Sequence, residues 1–194
     1  MIANSLLILS CKKDSAPAVP PSPSPTVLAI TFLNTTGNKI TGVKTILYEN
    51  ETDFRNKTNA LGEKFSNTLG TVSFENLSAK KYYWNASLGC ENNWFGLISL
   101  DNELKLNQAT SINNVLESTG LLTLSNTSTN LYEITMDVKF FKNLSAKTAM
   151  TITVKATTYQ IKVKQLSGYT ISPIEQIFAP KVQCDQEVVV TFPI

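Results

Sequence analysis

Short runs of β-branched and aromatic residues, each closed by Gly or by an Asn/Ser/Thr cluster, recur from residue 27 to the C-terminus. This rhythm constrains the fold more than any other feature, because short strands at such spacing build all-β sandwiches. Tyr159–Gln165 shows it best. Tyr159, Ile161 and Val163 alternate with Gln160, Lys162 and Lys164, so one face meets a core and the other meets water. Further strands are expected over 27–33, 43–48, 70–77, 82–88 and 110–116, then over 121–124, 132–138, 149–154 and 186–192. Tyr82 and Trp84 share a strand face, so they, or Tyr83 on the other face, plug the core. The expected architecture is two tandem small antiparallel β-sandwiches over 27–118 and 119–194, with the break at Ser118-Thr119-Gly120.

Composition supports strands and excludes several functions. Charged residues make up only 16% of the chain, against the usual quarter, and Asn, Ser and Thr supply the polar surface. The net charge is +2 and the basic residues are scattered, which is not the footprint of a nucleic-acid binder. The chain has no histidine. That rules out Ser-His-Asp and Cys-His hydrolases and removes the commonest metal ligand. No catalytic residues, metal site or cofactor are expected.

The chain opens with the apolar run Leu6–Leu9, then Ser10 and Cys11. An aliphatic residue three before the Cys (Ile8) and a small one just before it (Ser10) resemble the lipobox of bacterial lipoproteins. The resemblance implies a signal peptide over 1–10, cleaved by signal peptidase II. It also implies acyl chains on Cys11, and several such chains give stable membrane anchoring. No Lys or Arg precedes Cys11, which an N-terminally truncated signal peptide would explain. Residues 11–26 then form a flexible Pro/Ser-rich tether, holding five of the chain's eight prolines. Fifteen extended residues of this kind reach about 45 Å. Asp14-Ser15-Ala16 resembles a bacterial O-glycosylation site, implying modification of Ser15.

Gly70-Thr71-Val72-Ser73-Phe74-Glu75-Asn76-Leu77 followed by Lys81-Tyr82-Tyr83-Trp84 resembles the transthyretin-like and Cna-B-like (carboxypeptidase regulatory-like) β-sandwiches. The resemblance implies a prealbumin-type or Ig-like fold for 27–118. One branch of that wider family hydrolyses a purine metabolite with histidines, which this chain lacks. Gly120–Leu124, Asn126-Thr127-Ser128, Tyr132, Ser167-Gly168-Tyr169 and Cys184 are similar to small C-terminal β-sandwiches of Gram-negative lipoproteins, which bring no activity with them.

With Cys11 acylated, Cys90 and Cys184 remain, either as a disulfide between the two halves or as two lone thiols. Trp94 and Phe95 sit in an Asn-rich loop and are the candidate ligand contacts, with a glycan as the ligand suited to flat aromatics. Asn50-Glu51-Thr52-Asp53 and Asp101-Asn102-Glu103 read as solvated turns, since neither has the spacing of a calcium loop.

The sequence therefore points to a non-enzymatic binding, adhesion or accessory lipoprotein of the outer membrane, on its cell-surface or periplasmic face. Its partners would be the membrane, through the lipid anchor, and a glycan or another envelope protein. Two rivals remain. One is a carboxylate-dependent glycan-processing enzyme drawing on Glu49, Glu51, Asp53, Glu91, Asp101 and Glu103. The other is a purely structural spacer.

Overall fold

The structure, a computed structural model, describes residues 24–194. The expected signal peptide, Ile8, Ser10, Cys11, Ser15 and the tether up to residue 23 lie outside the described residues. Thr26, assigned above to the tether, belongs to the fold. It is buried, its carbonyl accepts from the Leu77 amide, and its Oγ1 accepts from the Asn107 amide at 2.8 Å.

The first half runs β1 (Val27–Leu33), β2 (Lys44–Tyr48), α1 (Glu51–Asn56), β3 (Gly62–Phe65), β4 (Thr71–Phe74), β5 (Tyr83–Leu88), β6 (Glu91–Asn92) and β7 (Ala109–Val115). The second runs β8 (Glu117–Asn126), β9 (Tyr132–Met136), β10 (Lys139–Leu144), β11 (Thr148–Lys155), β12 (Ile161–Gln165), β13 (Glu175–Phe178) and β14 (Glu187–Phe192). The protein is all-β, built as sandwiches, and α1 is its one α-helix among the described residues.

In the first half the sheet β4-β1-β7 lies over β3-β2-β5-β6. Strand alternation turns Leu28, Ile30 and Phe32 of β1 inward against Val72 and Phe74 of β4 and Trp84 of β5. Tyr82 and Trp84 are the aromatic plugs, while Tyr83 is only partly covered. The Trp84 Nε1–H donates to Asn114 Oδ1 at 2.9 Å, which satisfies a buried indole N–H.

In the second half the sheet β10-β9-β12-β13 lies over β11, β8 and β14. Its core gathers Leu122, Leu124, Tyr132, Ile134, Ile161, Val163, Val190 and Phe192. Tyr159, Ile161 and Val163 do share the buried face, but pairing in β12 starts only at Ile161.

The residues expected to separate the halves lie inside β8, which is unbroken from Glu117 to Asn126. Its partners change along its length. Glu117 and Ser118 pair with β6, whereas Thr119 onward pairs with β11 and Leu121 onward with β14. A single seven-stranded sheet thus runs through both halves. The two apolar cores lie on either side of this exchange, one within residues 28–116 and the other within 122–192.

Gly120 sits at the exchange for a steric reason. A Cβ there would lie 2.2 Å from the Gln183 carbonyl oxygen and 2.6 Å from Val182 Cγ1. Only a residue without a side chain lets the Val182–Gln186 segment cross β8 this closely.

Candidate functional site

The exchange point of β8 is also where the cysteines meet. The turn Gly89-Cys90 leaves β5, and the segment Gln183–Gln186 enters β14. Their Cα atoms at Cys90 and Cys184 are 5.6 Å apart and the side chains are joined Sγ to Sγ. The Thr119 amide and hydroxyl both donate to the Cys90 carbonyl at 3.0 Å. The bond therefore sits beside Thr119, where β8 passes from one sandwich to the other.

Beside it lies an open cleft of about 430 Å³, lined by Asn92, Trp94, Thr119, Leu121, Asp185 and Glu187 among others. Both halves contribute to it. A second cleft of about 420 Å³ lies on the first sandwich and is lined by Phe54, Arg55, Lys57, Asn85, Trp94 and Ile98. Trp94 lines both.

The loop bearing Trp94 is fixed from beneath. Asn93 is fully buried; its Nδ2 donates to the Trp84 and Leu97 carbonyls at 3.0 and 2.9 Å, and its Oδ1 accepts from the Ala86 amide at 2.9 Å. Asn92 holds the same turn from the side. Its Oδ1 accepts from the Trp94 amide at 3.1 Å, and its Nδ2 donates to Thr119 Oγ1 at 2.8 Å. Buried amides with both ends bonded fix a single backbone path. On this base Trp94 stays 52% exposed.

Helix α1 supplies the other side of the indole. The sequence Asn50-Glu51-Thr52-Asp53 is a helix N-terminus, not the solvated turn expected from the sequence. Asn50 Oδ1 accepts from the Asp53 amide at 2.9 Å, and Asp53 accepts in return from Asn50 Nδ2 at 2.6 Å. The same carboxylate accepts from Asn59 Nδ2 and Thr58 Oγ1, closing the far end of the helix. These bonds, from Asn59 first and then Asn50, hold the Asp53 carboxyl below its ordinary value of 3.8. The cap residue Lys57 takes a left-handed conformation, φ 55°, and places its Nζ 5.4 Å from the centre of the Trp94 ring. Lys57 lines the second cleft and not the first.

Trp94 and Phe95 do not form one surface. Phe95 is exposed, but it lies against Lys155 Nζ at 5.8 Å and lines neither cleft. Lys155 also pairs with Glu117 at 2.5 Å. Of the two aromatics singled out in the sequence, Trp94 is the one in the concave site. No local pattern pointed to Asp185, Gln186 and Glu187 as co-lining residues, because they come from the other half of the chain.

The acids of the enzymatic rival are spread over the first sandwich. Glu49 accepts from Lys80 at 2.5 Å, Glu51 pairs with Arg55, and Asp53 caps α1. None of the six lines the two clefts. Cys90, Cys184 and Asp185 bring their ligand atoms within 4.8 Å of one another, but sulfurs bonded to each other offer no thiolate to a metal. No helix among the described residues is long and apolar enough to cross a membrane.

No protein family and no curated protein matches the chain. Solved structures do match at low identity. They include the TIE protein of Bacillus anthracis, at 14% identity and TM-score 0.38, over 87% of this chain and 34% of that one. A streptococcal ancillary pilin is similar at 12% identity and TM-score 0.40, over 86% and 62%. GBS52, a minor pilin of the Gram-positive Streptococcus agalactiae, is similar at 17% identity and TM-score 0.33, over 85% and 94%. The chain thus spans a third of the first protein and under two thirds of the second. Likenesses this distant carry no argument about what this chain binds.

Proposed function

We propose that the chain is a non-enzymatic binding module, anchored to a bacterial outer membrane by acyl chains on Cys11. It presents the cleft at its joint to a partner in the envelope or outside the cell. Two units, 27–118 and 119–194, share the work: the first carries the anchor and Trp94, the second the polar wall of the cleft. The observation that carries the reading is the half-exposed Trp94, held on a fixed loop at the mouth of a concave surface built from both units. Tryptophan is enriched among the residues that dominate binding energy at interfaces.

Topology supports this orientation. β1 and β7 run parallel, from Val27 beside Ala109 to Leu33 beside Val115. The tether enters at the start of that pair and β8 leaves from its end. The two ends of that pair lie about 23 Å apart, the length of a seven-residue strand.

Growing the source bacterium with an alkyne fatty acid tests the anchor. The protein should take up label and lose it in Cys11→Ala, which should then appear in the soluble fraction. An unlabelled protein whose fractionation does not change in Cys11→Ala would remove the lipid anchor from the proposal.

A further inference from the structure

We propose that the cleft at the joint binds a neutral glycan, with the apolar face of one pyranose ring stacked on the half-exposed indole of Trp94. This rests on the reading of the cleft as the binding surface and adds the ligand's chemistry.

The aromatic wall comes first. The axial C–H bonds of a pyranose carry a small positive charge and point at the negative face of an indole, so a flat sugar face covers Trp94 well. The rest of the lining sets polar side chains beside Leu121. Asp185, Gln186 and Glu187 offer carboxylate and amide groups. That is the mixture a ring of hydroxyls needs, since each hydroxyl both donates and accepts. A concave site with one apolar face and a few convergent polar groups is the general form of a small-ligand site.

Charge narrows the class. The polar wall carries two carboxylates, Asp185 and Glu187, and no Lys or Arg lines this cleft. Phosphate, sulfate and uronic acid groups would meet like charge at short range, which costs binding. A cationic ligand would suit the carboxylates, but it would share the Trp94 ring with Lys57, which already lies 5.4 Å from its centre. A neutral polyol meets neither penalty. The fixed loop and the disulfide then hold the walls apart before the ligand arrives, so little ordering remains to be done on binding.

The chain offers a convenient probe. It has two tryptophans; Trp84 is fully buried and Trp94 half-exposed, so iodide quenches the second selectively. The test uses the full chain, oxidised, against neutral oligomers of β-linked glucose, galactose, mannose and N-acetylglucosamine. Acidic (uronate and sulfated) and cationic (glucosamine) oligomers serve as comparisons, and binding is followed by calorimetry. At least one neutral oligomer should bind, should shield Trp94 from iodide, and should bind Trp94→Ala at least about tenfold more weakly. Trp94→Phe should retain an intermediate affinity. The proposal is overturned if no neutral oligomer binds, if only charged oligomers bind, or if Trp94→Ala binds as the parent does. None of these outcomes bears on fatty-acid labelling at Cys11, so the anchor and the ligand fail separately.

Discussion

Replacing both cysteines of the joint by serine should remove much of the protein's stability, and the structure sets the amount. The bond joins residues 94 apart. Closing a loop of that length in the unfolded chain removes entropy equivalent to about 4.7 kcal/mol at 25 °C. A second route to unfolding sets the lower figure. If the first sandwich opens while the second stays folded, Cys184 remains fixed beside Thr119. The bond then closes only the stretch from Cys90 to Thr119, a separation of 29 residues, which is equivalent to about 3.6 kcal/mol. Cys90→Ser/Cys184→Ser should therefore lose about 3.6–4.7 kcal/mol, a fall in Tm of roughly 7–19 °C for a chain of this size. Urea unfolding followed by tryptophan fluorescence measures it, because Trp84 is buried in the first core and reports its opening. The same samples run on gels with and without reductant show whether the parent carries the bond. A double variant within about 1 kcal/mol of an oxidised parent would refute the loop-closure reasoning. A parent without the bond would remove its premise.

Gly120→Ala should cost about 1–3 kcal/mol, because the added methyl meets backbone and a buried valine that cannot withdraw; an unchanged urea midpoint would show that the crossing is looser than described. Trp84→Phe should cost about 2–4 kcal/mol, through lost volume and the loss of the bond to Asn114. Asn114 Nδ2 already lacks a partner among the described residues, so adding Asn114→Leu should restore part of that loss, and no recovery would contradict the account. Asp53 and Glu175 both have carboxyls held below their ordinary values of 3.8 and 4.5, by Asn59 and Asn50 bonds in one case and by Lys162 in the other. Their stabilisation is present above those ordinary values and is lost as pH falls through the lowered ones; Asp53→Asn/Glu175→Gln should flatten the acid limb of a stability titration, and a parallel limb would count against it. Expressed separately, 27–118 and 119–194 should each give dispersed amide signals, since each holds one whole core; a collapsed spectrum from both would make them one unit.

Most strands were legible in the sequence because burial alternates along a strand and leaves a mark in neighbouring residues. β1 and β12 bury every second side chain along their whole length, and β5 and β9 do so over their first four residues, and the apolar residues recur with that period. The aromatic plugs followed from the same rule. β10 and β13 left no such mark. They lie at the two edges of their sheet, and Phe140 and Ile177 are exposed where alternation would call for polar residues. Helix α1 buries none of its residues, so it has no apolar period; its only local signal was the Asn50–Asp53 cap, which also fits a turn.

What the sequence determined alone was the all-β class, the turn-rich rhythm, the inward faces, and the absence of every chemistry that needs histidine. The tertiary structure decided the rest: that β8 serves both sandwiches, that Gly120 has no room for a side chain, that Cys90 meets Cys184, and that Trp94 lines one cleft with Asp185 and Glu187. The reason is range. Periodicity records how a residue sits relative to its own strand, whereas these contacts join residues from 25 apart, Asn92 and Glu117, to 94 apart in the case of the cysteines. Their partners are chosen by sheet pairing and core packing, which no short window of sequence contains.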